Sequence, residues 1–411
     1  YDIHERLVGS EMCIRDRYRL HKKKESYMYY ITVKQPPMYH QMTLEEFLFG
    51  SPVVDYVISH NQTNTRTYET EKINSRFKSL FKTDELIGKL TDFNKSTEFL
   101  RESPRESLYN SFSIPKKSGG LRQINAPNPE LMTALRNLKT IFETDFGALY
   151  HTNAFAYIKH RSTIDLLKRH QNNNSKWMAK ADLHNFFGST TLEFVMKMFG
   201  MIFPFCEVIR DEDGKKQLEK ALELAFLDGG LPQGTPISPI ITNVMMIPID
   251  FTISKKLRTD DRFKDQNFVY TRYADDFQIS SRYSFDYKET ENLIISVCEE
   301  FGAPFTLNQK KTRYGSTSGR NWNLGLMLNK DNQITVGHKR KRQFKAMLTS
   351  YALDRKNNKP WDISDIQTLE GYRNYYRMVE RENIDEIVTH ISNKFDINIR
   401  KAIKEDLQSL R

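Results

Sequence analysis

Two aspartates side by side, Asp275 and Asp276, lie between apolar and aromatic residues in Tyr270-Thr-Arg-Tyr-Ala-Asp-Asp-Phe-Gln-Ile-Ser280. No other stretch limits the possible folds as much. The flanks favour extended backbone, so the segment reads as two short strands joined by a tight turn with the acid pair at its tip. Adjacent carboxylates repel, and a fold tolerates that more readily when a divalent cation sits between them. Taken alone, the pair also fits a plain Asp-rich turn. A further acid, Asp182, lies in Lys180-Ala-Asp-Leu-His-Asn-Phe-Phe-Gly188, behind Trp177-Met178-Ala179, a run that reads as a central strand. Asp182 either ends that strand, where it could share a metal with the hairpin, or simply caps a following helix. Between the acidic segments, Gly229-Gly-Leu-Pro-Gln-Gly-Thr-Pro-Ile-Ser-Pro239 reads as a loop allowing close backbone approach, and Ile240–Met246 as an apolar helix after it.

The bulk numbers favour a nucleic-acid partner without requiring one. Lys plus Arg exceed Asp plus Glu by 10 among 411 residues, and basic proteins gain affinity for phosphate backbones by releasing counterions. The 20 Tyr and 26 Phe are many beside three Trp; interleaved with cations they suit base stacking, although most belong in a core. Apolar residues make up 38%, with no run suited to crossing a bilayer. Cys13, Cys206 and Cys298 are far apart and offer neither disulfide nor metal-ligand spacing, which suits a cytoplasmic protein.

The chain reads as a helical lead-in, an α+β centre and a helical tail. Val8-Gly-Ser-Glu-Met-Cys-Ile-Arg-Asp-Arg17 resembles a translated sequencing adapter, so residues 1–27 are expected to be a non-native or disordered leader, with Met28 or Met38 as the start. Residues 28–105 form a polar helical extension, with a capping box at Thr43 and Glu46, a break at Asn61–Thr67 and helical spacing over Arg76–Phe99. Residues 106–328 alternate β-rich runs with helices. Residues 329–411 are helical, opening on Lys339, Arg340, Lys341, Arg342 and Lys345 and broken at Pro360-Trp361.

In this order the motifs resemble those of the bacterial reverse transcriptases of retrons, group II introns and defence systems, over about residues 105–385. Phe112-Ser-Ile-Pro-Lys-Lys-Ser-Gly-Gly-Leu-Arg-Gln-Ile124 is similar to the fingers motif, and Ala154–Leu167, with Arg161-Ser162, to the next block. Asp182 to Phe187 matches motif A, Leu231-Pro-Gln-Gly to Asn243 motif B, and Tyr273-Ala-Asp-Asp276 motif C. Asn308-Gln-Lys-Lys-Thr312 resembles motif D and Leu324-Gly325 motif E. Each is weak to moderate alone; their order and spacing make the resemblance.

The resemblance implies a right-hand polymerase fold: fingers, a palm with an antiparallel sheet on helices, and a helical thumb. It implies an RNA-directed DNA polymerase using two Mg2+ ions, or Mn2+ in their place, held by Asp182 and Asp275 with Asp276 in support and the Leu183 carbonyl as an added ligand. Lys116 or Lys117 and Arg122 would meet the dNTP triphosphate from a hairpin turning at Ser118-Gly119-Gly120. Phe187 would exclude a ribose 2′-hydroxyl, and Gln233 and Gly234 would lie along the templating base pair. Lys311, or Lys310, would protonate the pyrophosphate. Tyr273 and the cluster Lys339, Arg340, Lys341 and Arg342 would contact the RNA template and DNA product, with Gly371-Tyr-Arg-Asn-Tyr-Tyr376 tracking the duplex.

Within the family, Asn323-Leu324-Gly325 stands where retron enzymes usually carry Val-Thr-Gly, and an Asn-Ala-x-x-His element is absent. Pro239 follows the motif-B serine, where diversity-generating enzymes tend to carry Gln. Residue 411 leaves no room for the DNA-binding and endonuclease segments of many group II intron enzymes. These features favour a stand-alone anti-phage defence enzyme, working with its own non-coding RNA, over a retron or mobile-element enzyme. Two other classes compete: an RNA polymerase or template-independent nucleotidyl transferase using the same three carboxylates, and a non-catalytic nucleic-acid-binding protein on a polymerase scaffold, against which intact Asp182, Asp275 and Asp276 argue.

Overall fold

The computed structural model describes residues 83–115, 120–146, 150–318, 322 and 325–409. The leader 1–27, the Thr43 capping box, the Asn61–Thr67 break, Lys116, Lys117 and Leu324 lie outside the described residues. In chain order the elements are α1 (Thr83–Ser96), β1 (Tyr109–Pro115), β2 (Leu121–Pro127), α2 (Pro129–Thr140), α3 (Thr163–Asn172) and β3 (Trp177–Asp182). There follow α4 (Phe186–Ser189), α5 (Leu192–Phe199), α6 (Phe205–Arg210), α7 (Glu212–Glu223), α8 (Ser238–Met245) and α9 (Ile247–Thr259). Next are β4 (Val269–Tyr273), β5 (Asp276–Ser281), α10 (Tyr287–Glu300), β6 (Arg313–Ser316), β7 (Met327–Leu328) and β8 (Ile334–Thr335). The section closes with α11 (His338–Lys356), α12 (Ile363–Val379), α13 (Arg381–Phe395) and α14 (Ile399–Ser409). The mixture of sheet and helix matches the expected α+β class, and Pro360-Trp361 falls in the gap between α11 and α12.

The described residues divide into two compact units. The first holds those up to His151, with Asn185–Thr252 and Val297–Phe305. Its helix starts are written locally: Asn128 caps α2, its Oδ1 accepting from the Leu131 N–H at 2.9 Å, with Pro129 as the first helical residue. Helix α1 buries Leu86, Leu90 and Phe93. It is tied to α7 where Asn94 Nδ2 donates to the Gln217 carbonyl and to Gln217 Oε1, both at 2.9 Å. Phe142, Phe146, Phe199 and Phe205 form an aromatic cluster in which Phe146 and Phe205 stack at 4.5 Å. Strands β1 and β2 pair antiparallel from Tyr109 opposite Pro127 to Pro115 opposite Leu121.

The second unit holds Thr152–His184, Ile253–Ser296 and Thr306–Arg411. Its centre is an antiparallel sheet in the order β4-β5-β3-β6. Because strand side chains alternate, one face turns Ala179, Ala181, Phe277 and Ile279 towards Ile294 of α10. On the opposite face α3 is fixed by His170, which is fully buried and bridges Ser280 Oγ (2.6 Å) and Thr271 Oγ1 (2.8 Å). Burial, and then Arg169, hold the His170 pKa down at about 3, so the ring stays neutral. Leu166 and Leu167 of α3 share one core with Phe344, Leu348, Tyr351, Leu369, Ile384 and Ile403 from the C-terminal helices.

Candidate active site

The hairpin read around the acid pair is present. Tyr273 pairs with Asp276, leaving Ala274 and Asp275 at the tip between β4 and β5. Ala274 has a φ of 57°, a left-handed conformation that costs a residue with a Cβ about 1–2 kcal/mol. The turn is braced from below: Arg272, wholly buried in β4, donates through Nη1 to the Ala274 carbonyl at 2.9 Å. Asp182 ends β3 directly opposite Asp276 and is 4% exposed. It is not a helix cap; Asn185 stands before α4 instead.

Backbone hydrogen bonds lock the neighbouring loops onto this point. The Leu183 N–H donates to the Asp275 carbonyl at 3.1 Å, and the Asn308 N–H to the Asp182 carbonyl at 2.7 Å. The second bond carries Lys311 to the carboxylate, with Nζ 2.7 Å from Asp182 Oδ1 and 3.0 Å from Oδ2. Another lysine serves Asp276: Lys180 Nζ lies 2.6 Å from its Oδ2. Sequence reasoning gave Lys180 no role. The available signal was its place two residues before Asp182, which puts both on one face of a strand. Arg272 was missed as well; a cation between two strand tyrosines gives no sign of what it braces.

Crowding shows in the ionisation. Burial first, then Asp276 and Asp182, push the Asp275 carboxyl up to about 6. Burial raises Asp276 too, against the pull of Lys180. For Lys311 burial lowers the pKa, and Asp182 together with Asp275 and Asp276 more than offsets it, leaving the group raised. Tyr273 is raised by burial and by nearby Tyr375 and Asp276; its ring packs on the core of the C-terminal helices.

Among the described residues no group of three or more His, Cys, Asp or Glu is arranged to hold a metal ion as it stands. Lysine ammoniums engage Asp182 and Asp276. The donor chemistry nevertheless fits a hard divalent cation, since crowded carboxylates supply oxygen ligands and gain most from a compensating charge.

The first unit carries other expected residues. Phe187 is half-buried and meets Phe186 edge to face at 5.5 Å, while Phe186 packs on Phe305. The Phe187 carbonyl accepts from the Leu231 N–H at 2.9 Å, and a Cβ on Gly230 would collide with the Gly188 backbone. The Gln233 carbonyl accepts from the Asn125 N–H at 2.9 Å. Gly234, at φ 118°, faces Ile124 with room for no side chain without displacement. Arg122 is exposed on β2.

The basic cluster of the second unit divides by helix face. Lys339 and Arg342 are exposed on α11, whereas Lys341 pairs with Glu380 at 2.9 Å. The Arg340 guanidinium occupies the space a Cβ on Gly325 would need.

Residues 114–345 match the family model described as reverse transcriptase (RNA-dependent DNA polymerase). The Retron Ec83 reverse transcriptase of Escherichia coli is 26% identical over 285 residues, covering 67% of this chain and 85% of the relative. The Retron Ec73 reverse transcriptase of Escherichia coli is 30% identical over 51% of this chain and 64% of its own length. For the Retron Mx162 reverse transcriptase of Myxococcus xanthus the figures are 26%, 69% and 60%. The chain thus spans less than two thirds of the latter two. Among solved structures, telomerase from Candida albicans with a fragment of telomeric RNA matches 72% of this chain and 54% of its own. That match has 14% identity and a TM-score of 0.42. Matched by the model from residue 114 to residue 345, the chain belongs to the reverse transcriptase family of RNA-dependent DNA polymerases.

Proposed function

We propose that this protein extends a DNA strand on an RNA template by two-metal-ion nucleotidyl transfer. The observation that carries the proposal is the placement of three carboxylates on adjoining strand ends, Asp182 opposite Asp276 with Asp275 at the turn. In this reading Asp182 and Asp275 hold the divalent ions, Mg2+ or Mn2+, and Asp276 supports them. Bound there, such ions would lower the pKa of the attacking 3′-hydroxyl and neutralise charge on the leaving pyrophosphate. The rest of the work falls to the chain. Arg122, with Lys116 or Lys117, binds the dNTP phosphates. Phe187 sits under the sugar and excludes a 2′-hydroxyl, and Gln233 and Gly234 align the templating pair. Lys311 leaves Asp182 to donate a proton to the pyrophosphate. Tyr273 supports the primer end, and Lys339 and Arg342 follow the phosphate backbone. Among the described residues no helix is long and apolar enough to cross a membrane. The retron names of its relatives support a dedicated non-coding RNA as template and a role in anti-phage defence.

Primer extension on an RNA template with dNTPs tests the chemistry. Asp275→Ala should lower the rate on the order of 10³-fold, the loss of several kcal/mol of transition-state stabilisation. Extension that survives this change would remove the polymerase reading. Sequencing the RNA that co-purifies should return one dominant species; a mixture mirroring total RNA would remove the dedicated partner. Phage plating on cells carrying wild type or Asp275→Ala tests defence, with protection expected only from the wild type.

A further inference from the structure

The two lysines at the acidic cluster differ in a way that assigns them different work. Lys311 is 57% exposed in its side chain and sits in a segment without regular structure between Thr306 and Thr312, so its ammonium can leave when a cation arrives. Lys180 lies in β3, which has strand partners on both sides, and its side chain is 12% exposed. Its reach to Asp276 is the diagonal contact between neighbouring antiparallel strands, Lys180 being paired with Gln278 and Asp182 with Asp276. The ammonium therefore has little room to withdraw, and Asp276 would be left as a largely buried, unpaired carboxylate without it.

We propose that Lys180 is a positioning residue of the metal site. Its standing ion pair with Asp276 offsets the charge of that carboxylate, so that cation binding is carried by Asp182 and Asp275. The inference rests on the polymerase reading and adds to it a reason for the unequal roles of the three acids. It also fixes a sign. Removing the lysine charge frees a third carboxylate, which should make metal bind more tightly and in the wrong arrangement, so that turnover falls while affinity rises. A residue that merely supported the fold would lower both.

The test is calorimetric titration of Mn2+ into the full chain without nucleotide or nucleic acid, beside primer-extension kinetics across Mg2+ concentrations. Lys180→Gln should bind Mn2+ about three- to tenfold more tightly, the effect of one uncompensated charge a few ångströms away in a partly solvated site. Its kcat at saturating Mg2+ should fall about tenfold, from lost alignment, and Lys180→Arg should restore both values. Unchanged or weaker Mn2+ binding by Lys180→Gln overturns the proposal. The double variant Lys180→Gln/Asp276→Asn, which buries no lone charge, gives a second check should the single variant fail to fold. It should bind Mn2+ within about twofold of wild type; a large loss would make Asp276 a principal ligand and end the idea. Wild-type protein that neither binds Mn2+ nor extends a primer would remove the polymerase reading itself, an outcome distinct from a wild type that does both beside an unaltered Lys180→Gln.

Discussion

At the scale of single residues, the acid cluster is a place where folding and chemistry pull in opposite directions. Burial, and then its acidic neighbours, push the Asp275 carboxyl up to about 6. A carboxyl whose pKa is higher folded than unfolded binds its proton more tightly in the fold. It therefore adds stability below its unfolded value of about 4, and that contribution disappears as pH rises through about 6. Asp275→Asn should accordingly raise the melting temperature in EDTA at about pH 8, by about 1–2 kcal/mol in stability, while activity is lost. The gain should shrink towards pH 4. Calorimetry at several pH values checks this, and a gain of the same size throughout would count against it. Much of this site could be read from residues alone: the hairpin from its apolar flanks, and the strand before Asp182 from Trp177-Met178-Ala179. What Lys180 and Arg272 do could not, because it depends on which strand lies beside which.

At the scale of elements, the turn of α4 that carries Phe187 is shaped by a loop more than forty positions further along the chain. Gly230 lies so close to Gly188 that a single added methyl group must move one of them, and Leu231 holds the Phe187 carbonyl. Gly230→Ala should therefore shift Phe187 and weaken discrimination against ribonucleotides about tenfold, read as the ratio of kcat/KM for dNTP and rNTP. Phe187→Ala should weaken it further. An active Gly230→Ala enzyme with the wild-type ratio would show that the loop does not set the ring. Sequence reasoning recognised the glycines as a place of close approach, and the helix after them runs from Ser238 to Met245. It did not say what they approach. Likewise Lys339 to Arg342 form one basic run in the sequence, but helical periodicity exposes Lys339 and Arg342 and turns Lys341 to Glu380.

At the scale of the whole molecule, the second unit is closed by partners far apart in sequence. Leu166 and Leu167 of α3 rest on residues as distant as Ile403, and His170 on the same helix is bonded to β4 and β5. A chain ended at Gly337 should therefore lose cooperative melting and the hydrogen-exchange protection of β3 and β5, although it retains all three aspartates. Retained protection in those strands would show that the sheet stands without the C-terminal helices. On the ribosome the same arrangement becomes a timing device. The three aspartates have been made once residue 276 is added, but the core behind α3 must wait for the helices up to Ile403. At synthesis rates of about 5–20 residues per second that interval is roughly 6–25 seconds. Throughout it the nascent chain carries its acids on a scaffold whose core is still incomplete.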